Sequence, residues 1–417
     1  MKTSMPTQIP WTPEAPSQWS VNRAKTLFGR KKVLNADRSE QQILSLTLRG
    51  VVENDPDNPE GLVPSDYATY QIFDKDDLVF KLIDLENVRT SRVGHVHRRG
   101  IMSSAYLRLS PKPGNCTRYF YWQFFDLYNR RVFNDLGNGV RSTLGGEDVL
   151  ELPLLVPSPM EQRTIADFLD KEPKRIDEII EKKQRMLQLL ESRFVRSGRI
   201  RIDAGTTVGS RMPNGSNPAP WVPRKVAWHM STGSGTTPPS GDPRFYADQG
   251  TPWVTTSELR EEVITHTSRF VTELALTEFC ALKVHTPGTI LLAMYGATVG
   301  RVGILGVPAC VNQACCAIAP LDLELSASFL YWWLRLHREE LLDAAYGAGQ
   351  PNISQDVVRS LRVLSPPRGE QDIIVESIEM EHAKFRAISN RLKIQIDLLS
   401  EHRQALITAA VTGQLQI

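Results

Sequence analysis

Hydrophobic residues recur at every seventh position in two separate stretches, one near the middle of the chain and one near its C-terminal end. The first stretch has two apolar rows: one contains Leu169, Ile176 and Leu190 and is interrupted by Lys183, and the other contains Ile180, Leu187 and Phe194. The later stretch runs without a gap through Ile378, Phe385, Leu392, Leu399 and Leu406. A seven-residue repeat keeps one face of a helix against a partner helix. The two stretches therefore predict two long helices whose apolar faces pair with each other.

Signals at the helix ends support this prediction. Residues 158–161, Ser-Pro-Met-Glu, provide an N-cap, a proline at the first helical position and a capping-box glutamate. Pro173 should restart the first helix, and Gly198 should end it. A helix over residues 173–197 would be about 40 Å long, and one over residues 370–410 about 60 Å. Antiparallel pairing would place a globular unit at each end of a stiff rod, whereas the alternative is that each helix packs only on its own domain.

The chain contains two copies of one unit. Glu161-Gln162 recurs as Glu370-Gln371, at an offset of 209 residues. Six further pairs share this offset: Arg92 and Arg301, Ala105 and Ala314, Phe120 and Phe329, Leu144 and Ile353, Leu152 and Leu361, and Pro157 and Pro366. Nearer the start of each copy the register slips, because Trp19 corresponds better to Trp221, at an offset of 202. A constant offset over this many positions indicates an internal duplication.

Each copy has the same order of elements. Short apolar runs predict strands at residues 78–80, 105–109, 253–255, 289–292 and 314–318. An aromatic helix then follows in each copy, over residues 120–125 and 329–336. This order predicts an α+β fold with a pseudo-twofold internal repeat, in which two tandem mixed α/β units are joined by two long helices that form an antiparallel coiled coil. We place the first unit at 1–157, its helical spacer at 158–206, the second unit at 207–366 and its spacer at 367–417.

Length, composition and charge limit the possible functions. The chain has 417 residues, of which 41% are hydrophobic and 23% are charged, and its formal net charge is +2. Two or three domains fit this length, and binding to a polyanion must depend on where the charges lie. The five cysteines include no C-x-x-C pair, so they give neither zinc spacing nor a disulfide framework. The N-terminus has no apolar signal segment, and the uncharged stretch 302–321 contains Pro308 and Asn312, which favours buried strands over a membrane span; we therefore expect a cytoplasmic protein.

Positive charges are clustered in the first copy. A dense run consists of Arg89, Arg92, His95, His97, Arg98 and Arg99, and further basic residues are Arg23, Lys25, Arg30, Lys31, Lys32, Arg130, Arg131 and Arg141. The acidic residues cluster elsewhere along the chain, at residues 53–60 and 74–77. This separation predicts positive faces that could line DNA phosphates, and the alternative is that the clusters are solvated loops. The candidate DNA-binding residues of this copy are Arg89, Arg92, His97, Arg98, Arg99 and Arg141.

The second copy is less basic and offers polar groups instead. Its basic residues include Arg224, Lys225, Arg244, Lys283 and Arg301. Of these, Lys283 and Arg301 are candidate DNA contacts, and the candidates for hydrogen bonds to base edges are Tyr295, Gln350 and Asn352. The alternative is structural, because a glycine-rich neighbourhood such as residues 347–349 often needs a side-chain amide to hold its turn.

Signatures of a catalytic or metal centre do not occur in the sequence. The Walker phosphate loop, the H-E-x-x-H zinc motif and the G-x-S-x-G nucleophile motif are all absent. Residues 181–183, Glu-Lys-Lys, match a nuclease E-x-K pattern, but they lie on the predicted coiled-coil helix, where charges normally form a solvated face. His95 and His97 lack a third ligand for a metal. We therefore predict no catalytic residues and no metal site in this chain.

Several segments of the second copy resemble the target recognition domain of Type I restriction-modification specificity subunits. They are residues 234–238, 253–254, 288–303, which includes Tyr-Gly-Ala-Thr-Val-Gly, 311–313, 350–354 and 366–371. Residues 398–413 resemble the distal conserved region of the same family. In the first copy, residues 85–91 replace the Tyr-Gly-Ala-Thr-Val-Gly run, and 141–143, Arg-Ser-Thr, replace Gln-Pro-Asn. The two recognition domains of this family normally diverge because each reads a different half-site, so site residues are not transferred to the first copy.

The resemblance implies a non-catalytic DNA sequence-specificity subunit with two target recognition domains. Such a subunit binds a bipartite, asymmetric site in double-stranded DNA and docks two methyltransferase (modification) subunits and, through them, two restriction/translocase subunits. S-adenosylmethionine, ATP and Mg would belong to those partners, with no cofactor in this chain and no membrane involved. The main alternative is a duplicated coiled-coil adaptor that binds proteins rather than DNA. A self-sufficient methyltransferase or nuclease is disfavoured by the missing motifs.

Overall fold

The computed structural model describes residues 4–47, 50–55, 66–82, 85, 93–136, 144–204, 221–344 and 352–417. The chain divides into two units, one formed by Met1–Arg185 with Lys393–Ile417 and the other by Met186–Leu392. Both boundaries fall inside long helices, so each of these helices contributes to both units. The domain limits that we place from the sequence stay a prediction.

The first unit is built from short strands and mostly short helices. Its described strands are β1 (Ser4–Ile9), β2 (Thr12–Pro16), β3 (Ser20–Arg23), β4 (Phe28–Arg30), β5 (Leu44–Thr47), β6 (Gly50–Glu53), β7 (Gln71–Phe73), β8 (Leu78–Phe80), β9 (Val93–His95), β10 (Gly100–Met102), β11 (Leu107–Pro111) and β12 (Pro153–Val156). Its described helices are α1 (Ala24–Leu27), α2 (Thr117–Asn129), α3 (Val132–Leu136), α4 (Gly146–Glu151), α5 (Pro159–Leu169) and the start of α6 (Glu172–Ile202). An antiparallel sheet has the order β4-β11-β8-β9, and separate pairs are β1 with β2, β3 with β12, β5 with β6 and β7 with β10.

Helix α2 packs on this unit's core because one of its faces is aromatic. Phe120 and Phe124 are fully buried. The ring of Phe120 meets Phe28 edge to face at 5.5 Å, and the ring of Phe124 meets Phe80 at 5.0 Å. Burial of one Phe side chain contributes about 1.5–3 kcal/mol, and an edge-to-face pair adds about 0.5–1.5 kcal/mol. The aromatic helix predicted for the first copy is therefore confirmed, and it joins β4 and β8 in one core.

The second unit has larger sheets. Its described strands are β13 (Val222–Lys225), β14 (Met230–Ser234), β15 (Tyr246–Ala247), β16 (Thr251–Val254), β17 (Val263–Ile264), β18 (Phe270–Val271), β19 (Ile290–Ala293), β20 (Val302–Leu305), β21 (Cys310–Val311), β22 (Cys315–Pro320) and β23 (Arg362–Ser365). Its described helices are α7 (Val226–His229), α8 (Glu273–Glu278), α9 (Ala327–Leu336), α10 (Arg338–Ala344), α11 (Gln355–Ser360) and the start of α12 (Arg368–Val411). One sheet has the order β14-β22-β19-β20-β17, a second has the order β15-β18-β16-β21, and β13 pairs with β23.

The predicted strands exist, although most of their ends differ by one or two residues. The strand predicted at 78–80 is β8, and the strands predicted at 105–109, 253–255, 289–292 and 314–318 are β11, β16, β19 and β22. Strand β11 begins late because Tyr106 closes a turn with Ser103, and it extends to Pro111 because that residue pairs with Phe28. Pairing with a partner strand thus determines where each strand begins and ends, which the apolar runs in the sequence do not determine.

The two long helices pair antiparallel within each unit. In the first unit, Asp177 of α6 lies 2.8 Å from Arg403 of α12, and Lys183 donates to the Gln395 side chain at 2.7 Å. In the second unit, Phe194 stacks on Phe385 with ring centroids 5.1 Å apart. As the residue number increases along α6, the residue that it contacts on α12 has a lower number. This order confirms the antiparallel prediction. At 44 residues, α12 is about 66 Å long.

The seven-residue stripes form the seam between these helices. Among the ten predicted seam residues, the buried ones are Ile176, Phe194, Ile378 and Leu392, and the half-buried ones are Ile180, Leu187, Leu190, Phe385, Leu399 and Leu406. Lys183 is also half-buried in this row, where Gln395 satisfies its ammonium group. The interruption in the first stripe is therefore a polar seam position rather than a break in the helix.

The predicted end of the first helix at Gly198 is wrong. Helix α6 continues to Ile202, and Gly198 is buried inside it. A Cβ atom at Gly198 would lie 2.9 Å from Leu336 of α9. Glycine is present because another helix approaches closely, not because the helix ends. The restart near Pro173 and the capping box from Ser158 to Glu161 are confirmed.

The repeated Glu-Gln motif has a structural explanation. In the second unit the Gln371 side chain accepts a hydrogen bond from the Ser326 amide and donates to the Pro366 carbonyl, both at 2.8 Å. In the first unit Gln162 accepts from the Cys116 amide at 2.9 Å and donates to the Pro157 carbonyl at 3.0 Å. Both glutamines are buried. Each one fastens the start of the aromatic helix to the start of the helix that follows the unit.

Candidate nucleic-acid interface

Two polar residues of the second unit that are distant in sequence lie side by side at the end of its larger sheet. Tyr295 follows β19, and Asn352 precedes α11. The two form an isolated antiparallel bridge, and the next amide, that of Ile353, donates to the Met294 carbonyl at 2.7 Å. Tyr295 and Asn352 are both exposed. The structure therefore brings two of the predicted base-reading residues together, whereas Gln350 lies outside the described residues.

Glycines hold the segment that carries Tyr295. Gly296 and Gly300 have φ values of 84° and 76°, in the left-handed region that favours glycine. The Gly300 amide donates to the Ala293 carbonyl at 2.8 Å, and Arg338 donates to the Val299 carbonyl at 2.9 Å. The Gly-Ala-Thr-Val-Gly run is thus a rigid turn that presents Tyr295.

A second polar pair in this unit was not chosen from the sequence. The Thr237 hydroxyl donates to the Gln313 side-chain carbonyl, and both residues are exposed. A Cβ atom at Gly235 would overlap the Val311 carbonyl oxygen at 1.6 Å, so only glycine permits this approach of the two loops. Farther along, Gln355 donates to the Ser234 hydroxyl at 3.0 Å. In the sequence, residues 234–238 and 311–313 are indicated only by their resemblance to family motifs. That resemblance does not predict that the side chains of Thr237 and Gln313 meet.

The other candidates of the second unit are less closely placed. Arg301 precedes β20 and is half-exposed, and within the described part of the chain it makes no ion pair. Lys283 is exposed between α8 and β19, and no described contact joins it to Tyr295 or Asn352. Both remain candidate DNA contacts on the grounds of charge alone.

The basic run of the first unit meets carboxylates. Arg98 lies 3.1 Å from Glu53, and the His97 ring lies 3.8 Å from the same carboxylate. Arg99 pairs with Glu40 at 3.1 Å and also with Asp74. The expected separation of positive from negative charge is therefore wrong, because the fold places residues 53 and 74 beside this run. Arg89, Arg92 and Arg141 lie outside the described residues.

Burial further reduces the positive charge near this run. His95 lies in β9, 3.1 Å from Asp76. Burial lowers the pKa of His95, although the Asp76 carboxylate acts in the opposite direction. The ring is therefore neutral at neutral pH. Nearby, the buried guanidinium of Arg108 bonds to Asp77 and Asp74, both at 2.6 Å, so this arginine serves the core and not a ligand.

Part of the second copy is similar to a known family of domains. Residues 230–398 match the Type I restriction modification DNA specificity domain. The match covers less than half of the chain and lies within the second copy. A relative, the Type I restriction enzyme EcoDI specificity subunit of Escherichia coli, is 29% identical over 91 residues, which are 22% of this chain and 20% of that protein. The chain thus matches about a fifth of the length of this curated member of the family.

Solved structures share the fold over nearly the whole chain. A chain from a study of complex assembly and conformational transition of the type I R-M system has a TM-score of 0.68 at 14% identity, over 96% of this chain and 99% of that one. The HsdS subunit from Thermoanaerobacter tengcongensis has a TM-score of 0.50 at 16% identity, over 96% and 98% of the two chains. These likenesses show that the chain shares its duplicated α+β fold with those structures.

Neither a membrane-spanning helix nor a metal-binding cluster of side chains occurs among the described residues. No described helix combines the length and the apolar character that a membrane crossing requires. In the same part of the chain, His, Cys, Asp and Glu side chains do not gather in groups of three or more that could hold a metal ion.

Proposed function

We propose that the chain is the DNA sequence-specificity subunit of a Type I restriction-modification complex. One observation carries this proposal: Tyr295 with Asn352, and Thr237 with Gln313, present exposed hydrogen-bonding groups within the domain that matches the family. Phenol, hydroxyl and amide groups are suited to the donors and acceptors of base edges in the major groove. The rigid glycine turn supports the same interpretation, since base reading requires a fixed side-chain position.

The duplication supports a bipartite, asymmetric site. Each copy has a β-sheet, an aromatic helix and a buried glutamine clamp. Their candidate DNA contacts differ, because the first copy has a basic run and the second has polar pairs. Each unit would therefore read its own half-site. The helices α6 and α12 would fix the length of the unread gap between the halves.

Protein partners are the second part of the proposal. We infer that the helices dock two methyltransferase subunits and, through them, two restriction/translocase subunits, which would bring S-adenosylmethionine, ATP and Mg. Exposed apolar side chains on α6 and α12 support a protein-binding surface, and they are Ile179, Met186, Leu189, Ile388, Ile394 and Leu398. The chain itself would contribute recognition and no catalysis, and it would act in the cytoplasm, where its DNA substrate lies.

Methylome sequencing tests the proposal directly. We expect the host to lose methylation at one split sequence when this chain is removed and to regain it when the chain is restored. A chain lengthened by one seven-residue repeat in each of α6 and α12 should methylate the same two half-sites at a different gap. An unchanged methylome would contradict DNA specificity and favour the adaptor alternative, and an unchanged gap would contradict the spacer's measuring role.

A further inference from the structure

Two positive charges of the second unit face each other without a neutralising partner. Lys225 of β13 and Arg362 of β23 are direct partners in an antiparallel pair of strands. Like charges in this arrangement destabilise a strand pair. Among the described residues, no carboxylate lies within ion-pair distance of either one. A fold that keeps such a repulsive pair on its surface is expected to use it for a ligand of opposite charge.

An exposed tryptophan lies beside this pair. Trp228 of α7 is 62% exposed, an unusual value for the largest apolar side chain, and the guanidinium carbon of Arg362 lies 6.0 Å from its ring centroid. Arg359, exposed on α11, also makes no ion pair within the described residues. We call Lys225, Trp228 and Arg362 the basic-aromatic cluster.

The carboxylates around the basic-aromatic cluster do not neutralise it. Asp322 is engaged by His229 at 2.8 Å, and Glu324 by the buried Arg224 at 3.2 Å. Asp356 is exposed at the opposite end of α11 from Arg362 and forms no ion pair with a described residue. The cluster therefore keeps an excess of positive charge.

The first unit shows that the scaffold does not require this arrangement. The equivalent strand pair is β3 with β12, where Arg23 faces the uncharged Pro153. Both Arg23 and Lys25 are neutralised by Glu151. At the repeat offset of 209 residues, Glu151 corresponds to Ser360, so the second copy has no carboxylate at this place. The exposed tryptophan is also particular to the second copy, where the first has Thr26 at the upstream offset of 202.

Helix α11 connects the basic-aromatic cluster with the polar pairs. It begins at Gln355, which bonds to Ser234, and ends at Ser360, just before Arg362. Six helical residues span about 9 Å, well below the length of one duplex turn, about 34 Å. A duplex whose bases were read beside Tyr295 would therefore have its backbone within reach of the cluster.

We propose that the basic-aromatic cluster binds the phosphodiester backbone of duplex DNA beside the half-site that the second unit reads. A phosphate between Lys225 and Arg362 converts their repulsion into attraction, and the guanidinium group can bond two phosphate oxygens at once. The Trp228 ring packs against the adjoining deoxyribose. This proposal rests on the proposed function and adds a contact that is independent of base sequence. The position of the cluster at the end of α11, whose other end lies beside the polar pairs, favours DNA over an acidic segment of a partner protein.

Salt-dependent DNA binding by the full-length chain, purified with its modification subunits, tests the proposal. The probe is a fluorescein-labelled duplex of random sequence, and the dissociation constant is measured by anisotropy at increasing KCl. Each lost phosphate contact reduces the magnitude of the slope of log K against log salt by about 0.9, so Lys225→Gln with Arg362→Gln, which removes the one phosphate contact that the two cations share, should reduce it by about 0.9. The charge-matched control is Lys384→Gln with Arg391→Gln, two exposed residues of α12, and it should leave the slope unchanged. Trp228→Ala should weaken binding about tenfold at an unchanged slope, toward the lower end of the effect of losing one aromatic stacking contact.

Several results would overturn the proposal. A wild-type slope for the double variant, or an equal drop for the control, would show that the cluster makes no specific phosphate contact. Loss of the modification subunits with DNA binding intact would identify a protein-docking surface instead. Arg362→Lys keeps the charge and should keep the slope, which separates charge loss from misfolding. If the unaltered chain with its modification subunits bound no duplex at all, the proposed function itself would be wrong.

Discussion

In the first unit, Arg98 and Arg99 lie against Glu53, Glu40 and Asp74, whereas in the second unit Lys225 and Arg362 face each other with no described carboxylate within ion-pair distance. The first unit has the denser basic run in its sequence, but carboxylates neutralise this run in the structure. Among the described residues, the unpaired cations Lys225 and Arg362 lie in the less basic unit. A count of basic residues is therefore a poor guide to phosphate contacts, and the distribution of carboxylates in space decides which cations are available.

The two units differ much less in their cores than on their surfaces. Phe120 and Phe329 occupy the same repeat position and are both fully buried. The glutamine clamps at Gln162 and Gln371 make equivalent hydrogen bonds. The duplication has therefore kept the scaffold and changed the recognition surface.

The largest expected effect tests the common scaffold. Phe120→Ala and Phe329→Ala should each reduce the free energy of unfolding by about 3–5 kcal/mol, because each leaves a cavity in a packed aromatic core. Urea unfolding of the full-length chain measures both. Leu323→Ala, at a residue that is 78% exposed, is the control and should change stability by less than about 0.5 kcal/mol. If one Phe variant were as stable as the control, the two cores would not be equivalent.

A smaller effect concerns His382, which is particular to the second unit. Its ring lies between Phe194 and Trp332, at centroid distances of 5.2 and 5.1 Å, and its Nε2 accepts from Arg335 at 3.0 Å. Burial, with the charges of Arg335 and Arg386, lowers the pKa of His382 to about 4. Because a guanidinium only donates, this geometry requires the neutral imidazole.

Linkage gives the sign of the pH dependence. Between pH 6.5 and 4 the unfolded chain binds a proton at His382 that the native chain does not, so the stabilisation is present above pH 6.5 and is lost as the pH falls. Between pH 6.5 and 4, the free energy of unfolding should fall less in His382→Phe than in the wild type. The expected difference is on the order of 1–2 kcal/mol, which already includes a discount for solvent screening. Urea unfolding at several pH values compares the two chains. Parallel pH profiles for wild type and variant would contradict the assignment.

The smallest effect is expected at the neutralised basic run. Arg98→Gln with Arg99→Gln should weaken binding to all duplexes and lower the salt slope by less than about 1, because their carboxylates already offset part of the charge. The free energy of unfolding should change by less than about 1 kcal/mol per exposed pair. Anisotropy at increasing KCl gives the slope, with Arg368→Gln, an exposed arginine paired with Asp372, as the control. A slope equal to that of the wild type would make Arg98 and Arg99 solvated surface residues.

Local and periodic features were predictable from the sequence. The seven-residue stripes, the capping box at Ser158 and the constant offset between the copies depend only on spacing along the chain. The aromatic helices were predictable for the same reason. Gly198 was misread because a glycine that permits close packing has the same sequence signal as one that ends a helix.

The candidate site was predictable only in part. Tyr295 and Asn352 were chosen as separate residues, and the fold made them neighbours. Thr237 and Gln313 were missed because their loops approach only where Gly235 meets the Val311 carbonyl. Contacts between distant segments depend on strand pairing, and sequence spacing does not report them.

The sequence by itself determined the duplication, the two long helices and their apolar seam, because repeats and helical periodicity are properties of neighbouring positions. Only the tertiary structure decided which cations are neutralised. Glu53 and Asp74 reach Arg98 and Arg99 through folding, while Lys225 and Arg362 are brought face to face by the pairing of β13 with β23. Electrostatic interactions act over distances in space, so they are settled when distant segments of the chain meet.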